Sequence, residues 1–256
     1  MSLFSRESLV ALATGERAAV SVDPREYELV AGPGGPGSDS TYGIPFKRLR
    51  AGSVVPIPQT GLTLRVERVY PNSRVVSPLE GGGGFTLAPE PAPPRAEAAR
   101  PGLVGTVEGS GQPLFLYGGA ASPTSVNTAR GSLALMLRPI RRRLPFTIEL
   151  VRFERDLYPG GEIARGYSSV VALRDQGTER RVTVAMNRPA RQGGYAIYQS
   201  SWGSTPEGKD VSVLQVVHNP LRLLPYLGLG TALTGMALHY GLKKVGRRER
   251  RAGGAA

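Results

Sequence analysis

The sequence predicts a mainly β protein: an antiparallel β-rich body, built as one β unit or two, followed by one carboxy-terminal transmembrane α-helix. Three observations carry this expectation. The 256 residues include 34 Gly and 22 Pro, a density that favours many turns over long helices. Apolar and polar residues alternate in short runs, of which Leu62 to Tyr70 is the clearest. Leu223 to Leu242 has no formal charge over twenty residues, which as a helix measures about 30 Å, the thickness of a bilayer's hydrocarbon core.

In chain order, Ser5 to Thr14 (SRESLVALAT) has the make-up of a short amphipathic helix with Ser5 as N-cap. It is not a signal-peptide pattern, because Arg6 and Glu7 interrupt a short apolar run. Ala31 to Ser38 is a Gly/Pro loop. In Leu62 to Tyr70, Leu62, Leu64 and Val66 share one face and Thr63, Arg65 and Glu67 the other, which is a half-buried strand. Residues 81–102 are Gly- and Pro-rich and read as a linker. Short apolar runs follow at Leu114 to Tyr117 and Leu133 to Leu137. Beyond Arg143 come strand candidates at Phe146 to Phe153, Tyr167 to Leu173, Arg181 to Met186, Gly194 to Ser201 and Val211 to Val217.

The final apolar run lies between Arg222 and Lys243, with Tyr226 and Tyr240 near its ends and Pro225 in its first turn. Four glycines, two threonines and His239 make it only moderately apolar, so a buried helix of a soluble protein is the competing reading. The flanks favour the span. Six Lys/Arg follow it in fourteen residues, whereas the eighteen residues before it hold only Lys209 and Arg222. The positive-inside rule then puts residues 244–256 in the cytoplasm and the β body outside it. Gly228 with Ala232, and Thr231 with Gly235, are small-residue pairs that suit a partner helix.

A net charge of +12 invites a nucleic-acid reading. That charge is concentrated in the tail and in Arg141, Arg142 and Arg143, and no RNP, zinc-finger or helix-turn-helix pattern accompanies it. Nucleic acid is therefore not an expected partner. The absence of Cys excludes disulfides and thiolate chemistry. His218 and His239 are the only histidines, and no Gly-x-Ser-x-Gly, HExxH or Walker pattern occurs. No catalytic activity of the chain alone is expected.

The stretch from Leu144 to Leu242 resembles the ResB-like family of cytochrome c assembly proteins. Three blocks carry the likeness in order: the aromatic strand and Tyr-Pro turn with Phe153, Tyr158 and Pro159; the Asn-x-Pro, Gly-Tyr and Tyr-Gln-Ser-Ser block with Asn187, Pro189, Gly194, Tyr195, Tyr198, Gln199, Ser200 and Ser201; and the Asn219-Pro220 turn before the helix. The chemistry of these residues is mainly architectural. Gly194 permits a positive φ or bulge, Asn187 and Pro189 shape a turn, and Gln199 must find partners if buried.

The expected regions are four: a β-rich 1–143 with a Gly/Pro-rich linker at 81–102, a β unit at 144–220 named from the resemblance, a membrane helix at 221–243 and a basic cytoplasmic tail at 244–256. The resemblance implies a single-pass subunit of the inner (cytoplasmic) membrane that supports haem delivery and attachment to apocytochrome c. Its partner would be a polytopic ResC/CcsA-like protein. Family members usually carry further membrane helices ahead of the soluble domain, and none is visible in this sequence. No cofactor is expected on the chain alone; haem belongs to the complex, with His239 a candidate ligand and headgroup contact its competing role. His218 reads as a turn residue. The alternatives are a membrane-tethered β scaffold unrelated to haem and, behind it, a basic nucleic-acid-binding protein.

Overall fold

The computed structural model describes residues 5–32, 42–58, 60–76, 85–129, 131–158, 164–221 and 223–252. The strands are β1 (Arg6–Ala13), β2 (Arg17–Gly32), β3 (Tyr42–Pro45), β4 (Val54–Ile57), β5 (Leu62–Tyr70), β6 (Ser73–Val76), β7 (Thr86–Pro89), β8 (Gly102–Val107), β9 (Pro113–Tyr117) and β10 (Thr124–Thr128). They continue with β11 (Gly131–Leu157), β12 (Ala164–Asp175), β13 (Thr178–Ala185), β14 (Ala190–Gln192), β15 (Tyr195–Ser204) and β16 (Asp210–His218), and the chain ends in α1 (Leu224–Ala252).

The large sheet runs β13-β12-β11-β2-β1-β16-β15-β14, with β10 and β3 paired onto β11 and β2. A second sheet has the order β4-β5-β8-β9, and β6 pairs with β7. The large sheet curls until its ends approach. Ser169 of β12 bonds Gln199 of β15 at 2.7 Å, and Gln192 of β14 bonds Asp175 at the end of β12 at 3.3 Å. All the ladders are antiparallel, as alternating patterns with one buried face require.

Two cores share the long strands β2 and β11. In the first, Leu29 and Ala31 of β2 and Leu133, Leu135 and Leu137 of β11 pack with the inward residues of β5, β8 and β9. In the second, Leu144, Phe146, Ile148 and Leu150 of β11 meet Val10, Leu12, Val171, Leu173, Ile197, Leu214 and Val216. The buried parity of β11 changes from odd to even between them, across a register irregularity at Pro139–Ile140. One displaced residue turns a period-two pattern over, so a single strand serves both cores.

The structure corrects three expectations. Ser5 to Thr14 is a strand: β1 pairs with β16 from Arg6↔His218 to Ala13↔Val211 and buries Ser8, Val10 and Leu12. A ladder eight positions long outweighs a weak local helical preference. The segment expected as a linker is held against the body where it is described. Leu87 is buried, the Asn72 side chain bonds Pro91 O and Arg100 N, and Arg25 pairs with Glu97 at 2.9 Å.

The third correction concerns the helix. It forms, and it continues through the basic tail to Ala252. Among the described residues, however, no helix is long and apolar enough to cross a membrane. Glycine, threonine, His239 and two tyrosines dilute the leucines of the expected span at 221–243.

Candidate functional site

Inward-facing residues of five strands converge at one end of the second core. Phe146, Ile197, Leu214 and Val10 fill the interior. Beyond them lies a cavity of about 370 Å³, walled by Ser8, Ser21, Leu144, Val216, Tyr195 and His218 and rimmed by Arg6 and Arg141–Arg143. Alternation explains the convergence. Arg142 has the parity of Leu144 and Phe146 on β11, His218 that of Leu214 and Val216 on β16, and Ser8 that of Val10 on β1.

A two-residue hairpin places the aromatic wall. Gly193 and Gly194, with φ of +54° and +83°, connect β14 to β15 and set Gln192 opposite Tyr195. Two consecutive left-handed residues match the twist of the flanking strands, and glycine adopts them without a Cβ penalty. Tyr195 then lies across from His218, with ring centroids 4.5 Å apart, and meets Phe146 edge-on at 5.5 Å.

The cavity is cationic. Arg142 bonds Asp23 at 3.0 Å and Glu26 at 2.8 Å through Nη2, while its Nε is buried without a hydrogen-bond partner. Among the described residues Arg6, Arg141 and Arg143 make no ion pair, and no carboxylate lines the cavity. Ser8 donates to Ser21 at 2.8 Å, and Ser21 donates to the Arg142 carbonyl at 3.4 Å.

The rest of the Tyr-Gln-Ser-Ser block lies outside this cavity. Gln199 accepts from Ser169 at 2.7 Å and donates to Ser212 at 3.0 Å, and Ser169 and Ser212 are 2.7 Å apart and fully buried. The glutamine thus ties β12, β15 and β16 together. The ladder is irregular between Gln199 and Ser201, and the Ser200 carbonyl accepts from the Tyr167 hydroxyl at 3.1 Å. Tyr198 is exposed. Phe153 lies 6.4 Å from Trp202, over whose ring the Arg155 guanidinium sits at 4.6 Å.

Of the remaining candidates, Asn187 takes φ +65° in the turn after β13, followed by Pro189. Asn219 Oδ1 accepts from the Leu221 N–H at 3.0 Å, turning the chain after β16, with Pro220 exposed. Tyr158 is exposed, and Pro159 lies outside the described residues. His239 is exposed on α1, its ring 5.6 Å from that of Tyr240.

His218 is therefore the last residue of a strand and part of a wall. The sequence reading did not single out Arg6, Ser8 or Ser21 as site residues and took Arg141–Arg143 only as a cluster of charge. The alternations Ser8-Val10-Leu12 and Arg142-Leu144-Phe146-Ile148 were the available signals.

Residues 104–216 match the model of the ResB-like family. The chain is 33% identical over 95 residues to Protein NrfI of Wolinella succinogenes, covering 36% of this chain and 10% of that protein. It is 36% identical over 89 residues to Cytochrome c biogenesis protein CcsB of Microcystis aeruginosa, covering 34% of this chain and 19% of that one. The chain thus spans well under a quarter of the length of either relative. The matched region takes in most of β8, all of β9 to β15 and most of β16, with Tyr195 and every buried residue of the second core except Val10 and Leu12 inside it. From residue 104 to residue 216, this chain carries a ResB-like family segment.

Proposed function

We propose that this chain is a membrane-associated, ResB-like subunit of cytochrome c assembly that supports haem delivery and attachment to apocytochrome c. One observation carries the reading: the ResB-like segment ends eight positions before the start of a helix whose apolar side chains are uncovered. Leu224, Leu227, Leu229, Leu233, Met236 and Leu238 are all more than half exposed. An apolar surface of that extent needs a cover.

The helix suits apolar surroundings shared with a partner better than a span made alone. Thr231 and Thr234 satisfy their hydroxyls on the carbonyls of Gly228 and Gly230, both at 2.9 Å, which lowers the cost of burying them. Gly228, Ala232 and Gly235 give a second helix close access. A polytopic ResC/CcsA-like protein is the partner of this reading.

In that assembly His239 is the residue of this chain that could ligate haem iron, which carries the electron in the finished cytochrome. Its imidazole is exposed and has no hydrogen-bond partner among the described residues. Deleting the gene tests the reading. Loss of covalently bound haem on c-type cytochromes, restored by the full-length gene, is expected; normal holocytochrome c in the deletion strain refutes it.

A further inference from the structure

We infer that the cavity at the open end of the second core is an oxyanion site that takes a phosphate group. Its lining includes Arg6, of inward parity like Arg142, and the neighbouring Arg141 and Arg143, none of which a carboxylate engages among the described residues. Cations gathered without counter-charges repel one another, and an anion between them removes that repulsion. Arg142 adds a specific demand. Its Nη2 is held by Asp23 and Glu26 while its Nε–H is buried without an acceptor, and a buried donor left unsatisfied is costly. With the Nε–H turned to the cavity, a phosphate oxygen there would supply the acceptor.

The walls suit the same ligand. Tyr195 and His218 bring a hydroxyl and ring nitrogens that have no hydrogen-bond partner among the described residues. Both are fixed from behind, Tyr195 by Phe146 and by the Gly193-Gly194 hairpin, and His218 by its ladder to Arg6. Leu144 and Val216 make part of the wall apolar, so a phosphate joined to a short apolar group fits better than a bare ion.

Two sources offer that chemistry: free phosphate and the headgroup of an anionic phospholipid. The site lies where either can reach it. Five residues lie between His218 and Leu224 at the start of α1, a reach of at most about 22 Å. The inference stands on the cavity itself, so it succeeds or fails apart from any cytochrome phenotype.

The test is the thermal unfolding of the full chain in an uncharged detergent, titrated with inorganic phosphate, with phosphatidylglycerol or with phosphatidylcholine. Arg143→Gln and Arg6→Gln remove rim charges, and Arg188→Gln removes an exposed charge elsewhere. A saturable rise in melting temperature with phosphate or with phosphatidylglycerol, but not with phosphatidylcholine, is expected. The apparent affinity should fall about tenfold in each rim variant and stay unchanged in Arg188→Gln. A response to phosphate identifies the free ion as sufficient, and a response to phosphatidylglycerol alone identifies the lipid. No response to either, or an equal loss in Arg188→Gln, overturns the assignment.

Discussion

Tyr195 and His218 face each other across β15 and β16, with ring centroids 4.5 Å apart and planes tilted by 34°. The contact links the ResB-like block to the last residue before the turn into α1. Tyr195 also meets Phe146 of the second core. Replacing Tyr195 by Leu removes both ring contacts while keeping an apolar side chain. A loss of about 1–2 kcal/mol is expected, read as a lower denaturation midpoint in urea.

The Gln199 network predicts a contrast between two serines of similar sequence context. Ser169 is fully buried and bonded to both Gln199 and Ser212. Ser169→Ala takes one partner from half-buried Gln199 and one from buried Ser212 and should cost about 1–3 kcal/mol. The side chain of Ser200 is exposed and only its carbonyl is used, so Ser200→Ala should stay within about 0.5 kcal/mol of the parent. Equal effects in chemical denaturation would contradict the network.

Close backbone approach in the first core is tested at Gly105. A Cβ there would collide with the Arg65 carbonyl and press on Leu64, beside the irregularity of β5 at Val66–Arg68. Gly105→Ala should destabilise the body by about 1–3 kcal/mol. Gly203→Ala meets nothing within 4 Å at an ordinary φ and should change stability by no more than about 0.5 kcal/mol.

Tyr27 gives the body an alkaline limit. Burial raises its phenol pKa, against a lowering by Arg100, whose Nη1 donates to the Tyr27 oxygen at 3.5 Å. The folded state therefore prefers the protonated phenol. This contribution is fully present below about pH 10, where the unfolded phenol titrates, and is lost as pH rises through the higher folded value. Denaturation midpoints measured from about pH 9 upward should fall less steeply in Tyr27→Phe than in the parent.

Leu233, at the middle of the exposed part of α1, separates membrane association from body stability. It is 56% exposed, so Leu233→Lys should leave the melting of the body unchanged. It should lower partitioning into an alkaline-washed membrane fraction about a hundredfold, the cost of a cation at a helix centre. A shifted melt with unchanged partitioning would contradict the uncovered helix.

Elements governed by local pattern were legible in the sequence. The boundaries of β5 match the alternation of Leu62 to Tyr70, and the five strand candidates after Arg143 each fall on a strand. The rest depended on partners far along the chain. β1 reads as a helix when Leu9, Val10, Leu12 and Ala13 are counted alone; its ladder partner lies some two hundred residues on, as the Ser8–Val216 contact marks. Arg141–Arg143 read as one patch of charge, yet alternation turns Arg142 inward to Asp23 and Glu26. The cavity was hidden for the same reason: its walls come from β1, β2, β11, β15 and β16, and no short window of sequence contains them.

The pairing of β1 with β16 also imposes an order on biogenesis. A ribosome emits Arg6–Ala13 some two hundred residues ahead of Asp210–His218, so the nascent sheet keeps an open flank over that stretch. α1 emerges directly afterwards. Closure of the sheet and recruitment of the helix to its destination therefore fall in the same short interval. Connections this distant make closure slow, and a holding factor acting on the unclosed flank would have that whole interval in which to engage it.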